Sequence, residues 1–337
     1  MAFFKINSNL VSFRVTNRIG RIWYLRKIYF KLITDGMYRI GIGNIIRTQF
    51  PFLLKEADLP PSINLELTNN CQIKCTYCTS PLKLRARGFM KEETFDRVLD
   101  QLRYHKIRRV RLVGNGEPTF HPRFPEYVRR LKEGGMYVEL KTSWQFVRDE
   151  VIDAVLESNV NVVRISLDSD QKDEYEKLRV GADFEDLVNN LSKLFEAKKI
   201  KNSKTLIMIT VMIKPSDLER EKEILAFWQK YCDVVSKQYV IDMDTGENDV
   251  FHPDIEEAAF PRCSFPFKEL KILWNGIVPL CKYSHIQTGD EIGLQLGNIV
   301  SADLHELWNH SIMRSYRQGH RKRSPELMPI CKGCMGT

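Results

Sequence analysis

The sequence predicts an α/β fold in which six strand and helix units curl into an open partial barrel, followed by a small cysteine-rich C-terminal domain. Two observations carry that prediction. Short β-rich runs alternate with amphipathic helical stretches from about residue 62 to 241, and periodicity then weakens into a segment rich in cysteine, glycine and aromatic residues.

Six β-rich runs read as strands: Ser62–Thr68, Arg109–Val113, Met136–Lys141, Val162–Leu167, Thr205–Ile213 and Asp233–Ile241. Between them, helical periodicity predicts Lys91–Tyr104, Phe124–Glu133, Arg148–Glu157, Phe184–Glu196 and Leu218–Tyr231, the last opened by a Ser216-Asp-Leu-Glu219 capping box. Right-handed crossovers between parallel strands produce a (β/α)6, TIM-like partial barrel whose ligand site gathers at the strand ends. Leu59-Pro-Pro61 does not favour helix continuation, and a second boundary falls near Glu247–Pro261. The expected organisation is a basic segment over 1–60, a barrel over 61–247 and a C-terminal domain over 248–337.

With 337 residues, 43% hydrophobic and 28% charged, the chain can bury a large core and a satellite domain, which argues against wholesale disorder. No apolar run approaches the roughly 18 residues of a bilayer span, and MAFFKINSNL lacks a secretory pattern, so a cytoplasmic location is expected. The charge of +8 is concentrated at the start: residues 1–60 carry ten Lys and Arg against Asp35, Glu56 and Asp58, a net +7. Arg18, Arg21, Arg26, Lys27, Lys31 and Arg39 alternate there with Trp23, Tyr24, Tyr29 and Phe30. The mixture suits a helix packed on the barrel, and equally peripheral contact with an anionic membrane at its inner face. No nucleic-acid partner is expected.

Seven of the eight cysteines form two groups. Reduced cytosolic thiols in clusters more often hold metal than form disulfides. Leu67-Thr-Asn-Asn-Cys71-Gln-Ile-Lys-Cys75-Thr-Tyr-Cys78 follows the first strand with C-x3-C-x2-C spacing. Three thiolates on one loop hold three irons of a cubane and leave the fourth open; structural zinc, the alternative, favours four ligands in paired C-x2-C units. The spacing, the strand-end placement and Tyr77 before the third cysteine resemble the radical S-adenosylmethionine (SAM) superfamily, over roughly residues 62–241.

That resemblance implies a SAM-binding [4Fe-4S] cluster on Cys71, Cys75 and Cys78, with SAM chelated at the open iron. Val113-Gly114-Asn-Gly116-Glu117-Pro118 looks like the family's GGEP motif, with Asn115 in place of the more usual glycine. Gly114 and Gly116 permit close backbone approach, with Glu117 near the SAM ammonium. Thr142 and Ser166-Leu-Asp168 end the third and fourth strands, where the family places ribose and carboxylate contacts, and Arg179 resembles an arginine suited to the SAM carboxylate. Each of the last four also fits a helix cap or a surface ion pair.

Cys263, Cys281, Cys331 and Cys334 supply four thiolates, enough for a second cubane or a tetrahedral zinc. The text around them, Trp274-Asn-Gly276 through Cys281, Leu296-Gly-Asn298 and Leu304-His-Glu-Leu-Trp308, resembles the SPASM/twitch extension and implies an auxiliary [4Fe-4S] cluster. Cys232 reads as a small buried residue or as a hydrogen-atom donor, and Asp242, Asp244 and Glu247 as a base or a solvated loop. The resemblance implies a 5′-deoxyadenosyl radical that abstracts hydrogen from a small-molecule or glycan substrate, in a dehydrogenase-like oxidation of a carbohydrate or polyol. A reductant such as flavodoxin or ferredoxin would supply the electron. A peptide-modifying maturase is the second reading, and a noncatalytic zinc protein or electron carrier the third.

Overall fold

A computed structural model describes residues 57–78, 85–214, 217–239, 263–282 and 294–331. The basic N-terminal segment, Ser216 of the capping box, Asp242, Asp244, Glu247 and Cys334 lie outside the described residues. Strands β1 (Ser62–Leu65), β2 (Arg109–Leu112), β3 (Tyr137–Thr142), β4 (Val162–Leu167), β5 (Leu206–Ile213) and β6 (Val234–Tyr239) match the six expected runs, each trimmed by at most a few residues. All pair in parallel with their sequence neighbours.

A seventh strand, β7 (Glu269–Ile272), joins from the C-terminal segment by pairing in parallel with β1, so the order is β6-β5-β4-β3-β2-β1-β7. Its four residues, Glu-Leu-Lys-Ile, are too short to show alternation alone, which is why the sequence pattern yields six strands. An antiparallel pair, β8 (Ile277–Pro279) and β9 (Gln295–Asn298), follows. The turn before β8 uses Gly276 at φ +84°, where a Cβ would lie 2.6 Å from the Asn298 side chain.

Helices α1 (Glu92–Tyr104), α2 (Phe124–Glu133), α3 (Asp149–Glu157), α4 (Lys172–Leu178), α5 (Phe184–Ile200) and α6 (Glu221–Trp228) form the crossovers. They begin for ordinary reasons: α2 has Pro125 in its first turn, and Asp183 caps α5 by accepting from the Asp186 amide at 2.9 Å. Alternate strand residues, Val110, Leu112, Val138, Leu140, Val163, Ile165, Ile207 and Ile209, are fully buried in one core with Phe95, Leu99, Val128, Leu131, Val155 and Leu191 of the helices. Among the described residues no helix is long and apolar enough to cross a membrane.

The C-terminal elements α7 (Phe265–Lys268), α8 (Leu304–Trp308) and α9 (Ser311–Lys322) converge on Arg317. This buried guanidinium donates to the carbonyls of Pro266 and Trp308, both at 2.8 Å, and lies 3.9 Å from the Trp308 ring centroid. The same unit grips the barrel: Trp308 Nε1 donates to the Ala57 carbonyl at 2.7 Å, and the Leu304 amide to Gln101 Oε1 of α1 at 3.1 Å.

The Glu66 carboxylate, fully buried just past β1, ties these parts together. It accepts two bonds from Arg85 at 2.9 Å and one from the Asn115 amide at 3.0 Å, and lies 3.6 Å from Lys271 Nζ of β7. Burial raises its pKa, but Lys271, Arg85 and the Asn115 amide more than offset this and hold it below 4.5. Because the folded value is depressed, the contribution is complete above the unfolded pKa of 4.5 and is lost as pH falls through the folded value. Glu66→Gln leaves two buried cations without their counter-charge. It should cost about 3–5 kcal/mol, read as a lower denaturation midpoint of the apoprotein at pH 7, with the difference from wild type shrinking below pH 4.5.

Candidate active site

The residues between β1 and α1 form a loop whose two limbs are laced together. The Thr68 hydroxyl donates to the Gly88 carbonyl at 2.6 Å, Asn69 Nδ2 to the Ala86 carbonyl at 2.7 Å, and the Gly88 amide to Asn69 Oδ1 at 2.9 Å. Cys71, Cys75 and Cys78 sit on this loop, each half-buried. Burial pushes the Cys71 thiol up to about 12 and the Cys75 thiol to about 11. Such thiols become thiolates at neutral pH only when a cation takes their charge. The charges of Cys71, Cys75 and Cys78 are felt by one another, so the loop gathers three soft donors into one neighbourhood. Among the described residues no three His, Cys, Asp or Glu side chains converge on one ion's coordination sphere.

Two strand-end loops flank the cysteines. After β2, Gly116 lies so close to the cysteine loop that a Cβ would be 2.4 Å from the Asn70 carbonyl oxygen, and the Glu117 amide donates to that oxygen at 2.8 Å. A Cβ at Gly114 would meet Glu66 Cγ at 2.4 Å. Glu117 is buried beside Cys71, and its carboxylate is braced from the end of β3 and from its own loop: Oε1 accepts from the hydroxyls of Thr142 at 2.7 Å and Thr119 at 2.9 Å, and Oε2 from the Ser143 amide at 2.7 Å and hydroxyl at 2.8 Å. Glu117 and Thr142 are thus partners of each other, and the loop offers a ligand mainly its backbone. Asn115, the departure from the expected glycine, accepts from Lys271 Nζ at 3.3 Å and adds a tie to β7.

On the other side, after β4, Asp168 is buried and accepts from Tyr77 Oη at 2.9 and 3.0 Å and from Arg179 Nε at 2.5 Å. Arg179 is itself buried and pairs by backbone with Cys75, so the Asp168–Arg179 pair lies against the cysteine loop. Among the described residues no acceptor is bonded to the Arg179 Nη atoms. The structure therefore makes Asp168 the orienter of Tyr77 and Arg179, while Ser166, half-buried on β4, bonds its hydroxyl to no described residue.

At the C-terminal end, Cys263, Cys281 and Cys331 are half-buried, and no described cysteine is in a disulfide. Cys331 Sγ lies 4.0 Å from His320 Nε2, whose pKa burial pushes down to about 4. Tyr316 also faces this region: burial, then the charges of Cys331 and Cys281, push its pKa up. Cys232 precedes β6 at the opposite end of the strands from the cysteine loop, buried, with Sγ donating to the Trp228 carbonyl at 3.4 Å.

One group of residues escaped the sequence reading. The concave face of the sheet is lined with charge. Glu139 of β3 lies 3.3 Å from Arg109 and 3.6 Å from Arg111 of β2, and 3.2 Å from Arg164 of β4. Arg164 also donates to the Thr210 hydroxyl at 3.2 Å, which bonds Ser236 at 2.9 Å, while Arg111 pairs with Glu269 of β7. The signal was present as strict alternation, in Arg109-Val-Arg111-Leu and Glu139-Leu-Lys141-Thr.

The chain matches the model of the radical SAM superfamily over residues 65–226 and that of the SPASM iron–sulfur cluster-binding domain over 263–335. The chain belongs to the radical SAM superfamily. It is an enzyme of that superfamily with a C-terminal SPASM domain, which implies a SAM-binding [4Fe-4S] cluster and auxiliary iron–sulfur ligation. Over 105 residues it is 30% identical to a tungsten-containing aldehyde ferredoxin oxidoreductase cofactor-modifying protein of Pyrococcus furiosus, covering 31% of this chain and 30% of that one. Over 109 residues it is 34% identical to a PqqA peptide cyclase of Rhodopseudomonas palustris, covering 32% and 29%. The alignment thus spans under a third of either relative. Among solved structures, the fold of the chain resembles that of BtrN in complex with AdoMet and 2-DOIA (TM-score 0.54, 16% identity, 81% of this chain and 92% of that one). It also resembles Streptococcus suis SuiB bound to precursor peptide SuiA (TM-score 0.55, 14% identity, 83% and 70%). At these identities the likeness shows a shared fold.

If Gly116 is the contact that seats the cysteine loop, Gly116→Ala must displace backbone rather than a flexible side chain. The expected result is lower iron and sulfide content after reconstitution with an unchanged far-UV circular dichroism spectrum. Full iron content in this variant would remove the role assigned to the glycine.

Proposed function

We propose that this enzyme generates its radical at Cys71, Cys75 and Cys78 and directs it at a peptide substrate, as a maturase. The observation that carries the first half is the seating of three half-buried, mutually close thiols between two strand-end loops. When bound, the cluster and SAM supply a 5′-deoxyadenosyl radical capable of taking hydrogen from an unactivated carbon.

The protein's own part is positional. Gly114 and Gly116 let the β2 loop seat tightly against Glu66 and the Asn69–Asn70 backbone, which holds its own backbone in place for SAM, and Glu117 fixes that loop from beneath. Ser166 presents a hydroxyl suited to the ribose. Arg179, held at Nε by Asp168, has its terminal nitrogens available for the SAM carboxylate. Buried Tyr175 supports this from below: its ring lies 5.6 Å from the Arg179 guanidinium, and its hydroxyl donates to Gln145 at 3.0 Å. Cys263, Cys281, Cys331 and Cys334 are assigned to the auxiliary cluster, which suits electron transfer because a fully ligated cubane has no open iron. An external donor such as flavodoxin or ferredoxin supplies the first electron.

Peptide is preferred over carbohydrate as the substrate class, reversing the order of the sequence reading. The curated relatives include peptide cyclases, and the SuiB and anSMEcpe structures of the same fold were solved with peptides. Oxidation of a small polyol-like substrate stays as the second reading because BtrN shares the fold over 92% of its length and was solved with 2-DOIA.

Cys71→Ala, Cys75→Ala and Cys78→Ala should each abolish deoxyadenosine formation from SAM with a strong reductant. Cys263→Ala or Cys281→Ala should instead lower iron by about four per chain while some uncoupled SAM cleavage survives. Deoxyadenosine at the wild-type rate in any member of the first set contradicts the assignment. The substrate class is decided by which of peptide or polyol libraries accelerates deoxyadenosine formation and takes up deuterium exchange at carbon.

A further inference from the structure

We propose that Lys141, at the C-terminal end of β3, binds a carboxylate of the peptide substrate inside the barrel mouth. This deepens the peptide reading and rests on it for the identity of the carboxylate's owner. Lys141 stands on the concave face with Arg164, its register partner on β4, one residue before Thr142, which braces the Glu117 loop. A ligand group held there is next to the loops that receive SAM.

Other cations of this face have carboxylate partners: Arg109, Arg111 and Arg164 surround Glu139, Arg111 also meets Glu269, and Lys271 meets Glu66. Lys141 makes no hydrogen bond or ion pair with any described residue. Its side chain is exposed to solvent, with protein on its flanks. Loss of solvation, followed by the charges of Lys282, Arg111 and Arg164, with only Glu139 opposing, pushes its pKa down to about 8.

The layer therefore holds Arg109, Arg111, Lys141 and Arg164 against two carboxylates, Glu139 and Glu269, in a concave site where the potential is concentrated. An incoming carboxylate relieves the repulsion among these cations and gives Lys141 its missing acceptor. An amine-bearing substrate meets the opposite field. The same carboxylate chemistry is also present in SAM, so a test has to tell the two sources apart.

Holoenzyme reconstituted with iron and sulfide is treated at pH 8 with limiting water-soluble acetylating ester, and Lys141 modification is read by peptide mass spectrometry. Three conditions of equal ionic strength are compared: chloride, saturating SAM, and SAM plus glutarate as the carboxylate probe. Modification should be unchanged by SAM and should fall with rising glutarate. Insensitivity to glutarate overturns the proposal, and full protection by SAM alone overturns it by assigning the carboxylate to the cofactor. In a second arm, deoxyadenosine formation is measured with two peptide pools that differ only in Asp and Glu against Asn and Gln. Wild type should prefer the acidic pool by about tenfold, or ~1.4 kcal/mol; Lys141→Met should lose that preference and Lys141→Arg should keep it. An undiminished preference in Lys141→Met overturns the proposal. If neither pool stimulates the enzyme, the peptide reading fails, while the labelling arm still decides the anion site.

Discussion

The arrangement depends on one buried carboxylate. Glu66 sits where β1 becomes the cysteine loop, and the partners of its carboxylate come from three places: Arg85 from the returning limb of that loop, Asn115 from the glycine loop and Lys271 from β7. A fully buried carboxylate is tolerable only because every partner is present at once, so the group acts as a coincidence requirement. The cysteine loop is in place when the glycine loop and the C-terminal strand are. Gly114 belongs to the same constraint, since the aliphatic part of Glu66 occupies the space of its missing side chain.

That constraint changes how the C-terminal domain is understood. The sequence marks it as a separate cysteine-rich unit, yet β7 is hydrogen-bonded into the barrel sheet along β1, and Trp274 presses on Gly88, where a Cβ would lie 2.3 Å from its ring. Lys271 contributes charge both to Glu66 and to the surroundings of Cys281. The segments that carry the two cysteine groups are thus joined through the paired strands β1 and β7.

Much of this was legible in the sequence, and the failures have physical causes. The strands and helices of the barrel followed from period-2 and period-3.6 patterns that persist over long elements, and the cysteine spacing located the loop between β1 and α1. β7 was missed because four residues carry too little pattern, and partner choice is a tertiary fact. Glu117, Asp168 and Arg179 were singled out as candidate site residues, but the bonds each makes were not legible: which carboxylate turns inward is decided by the donors it meets. Asn115 stands where the motif more usually has glycine, and its contact to Lys271 was not legible because β7 was not.

The charged lumen was legible and overlooked, for an instructive reason. Barrels of this kind usually fill their interior with branched apolar residues, so alternating Arg, Glu and Lys on β2 and β3 reads at first as a solvated outer face. Here the polarity is inverted: the apolar alternates pack in the core with the helices, and the polar ones pair with each other between neighbouring strands on the opposite face. Such an interior cannot collapse into a dry core, because each arginine needs its carboxylate and Glu139 is shared among three of them. A barrel held open by paired charges keeps room at its mouth. The one lysine there that the described residues leave unpaired is where the protein's own electrostatics are incomplete, and a substrate that completes them is bound and oriented by the same contact.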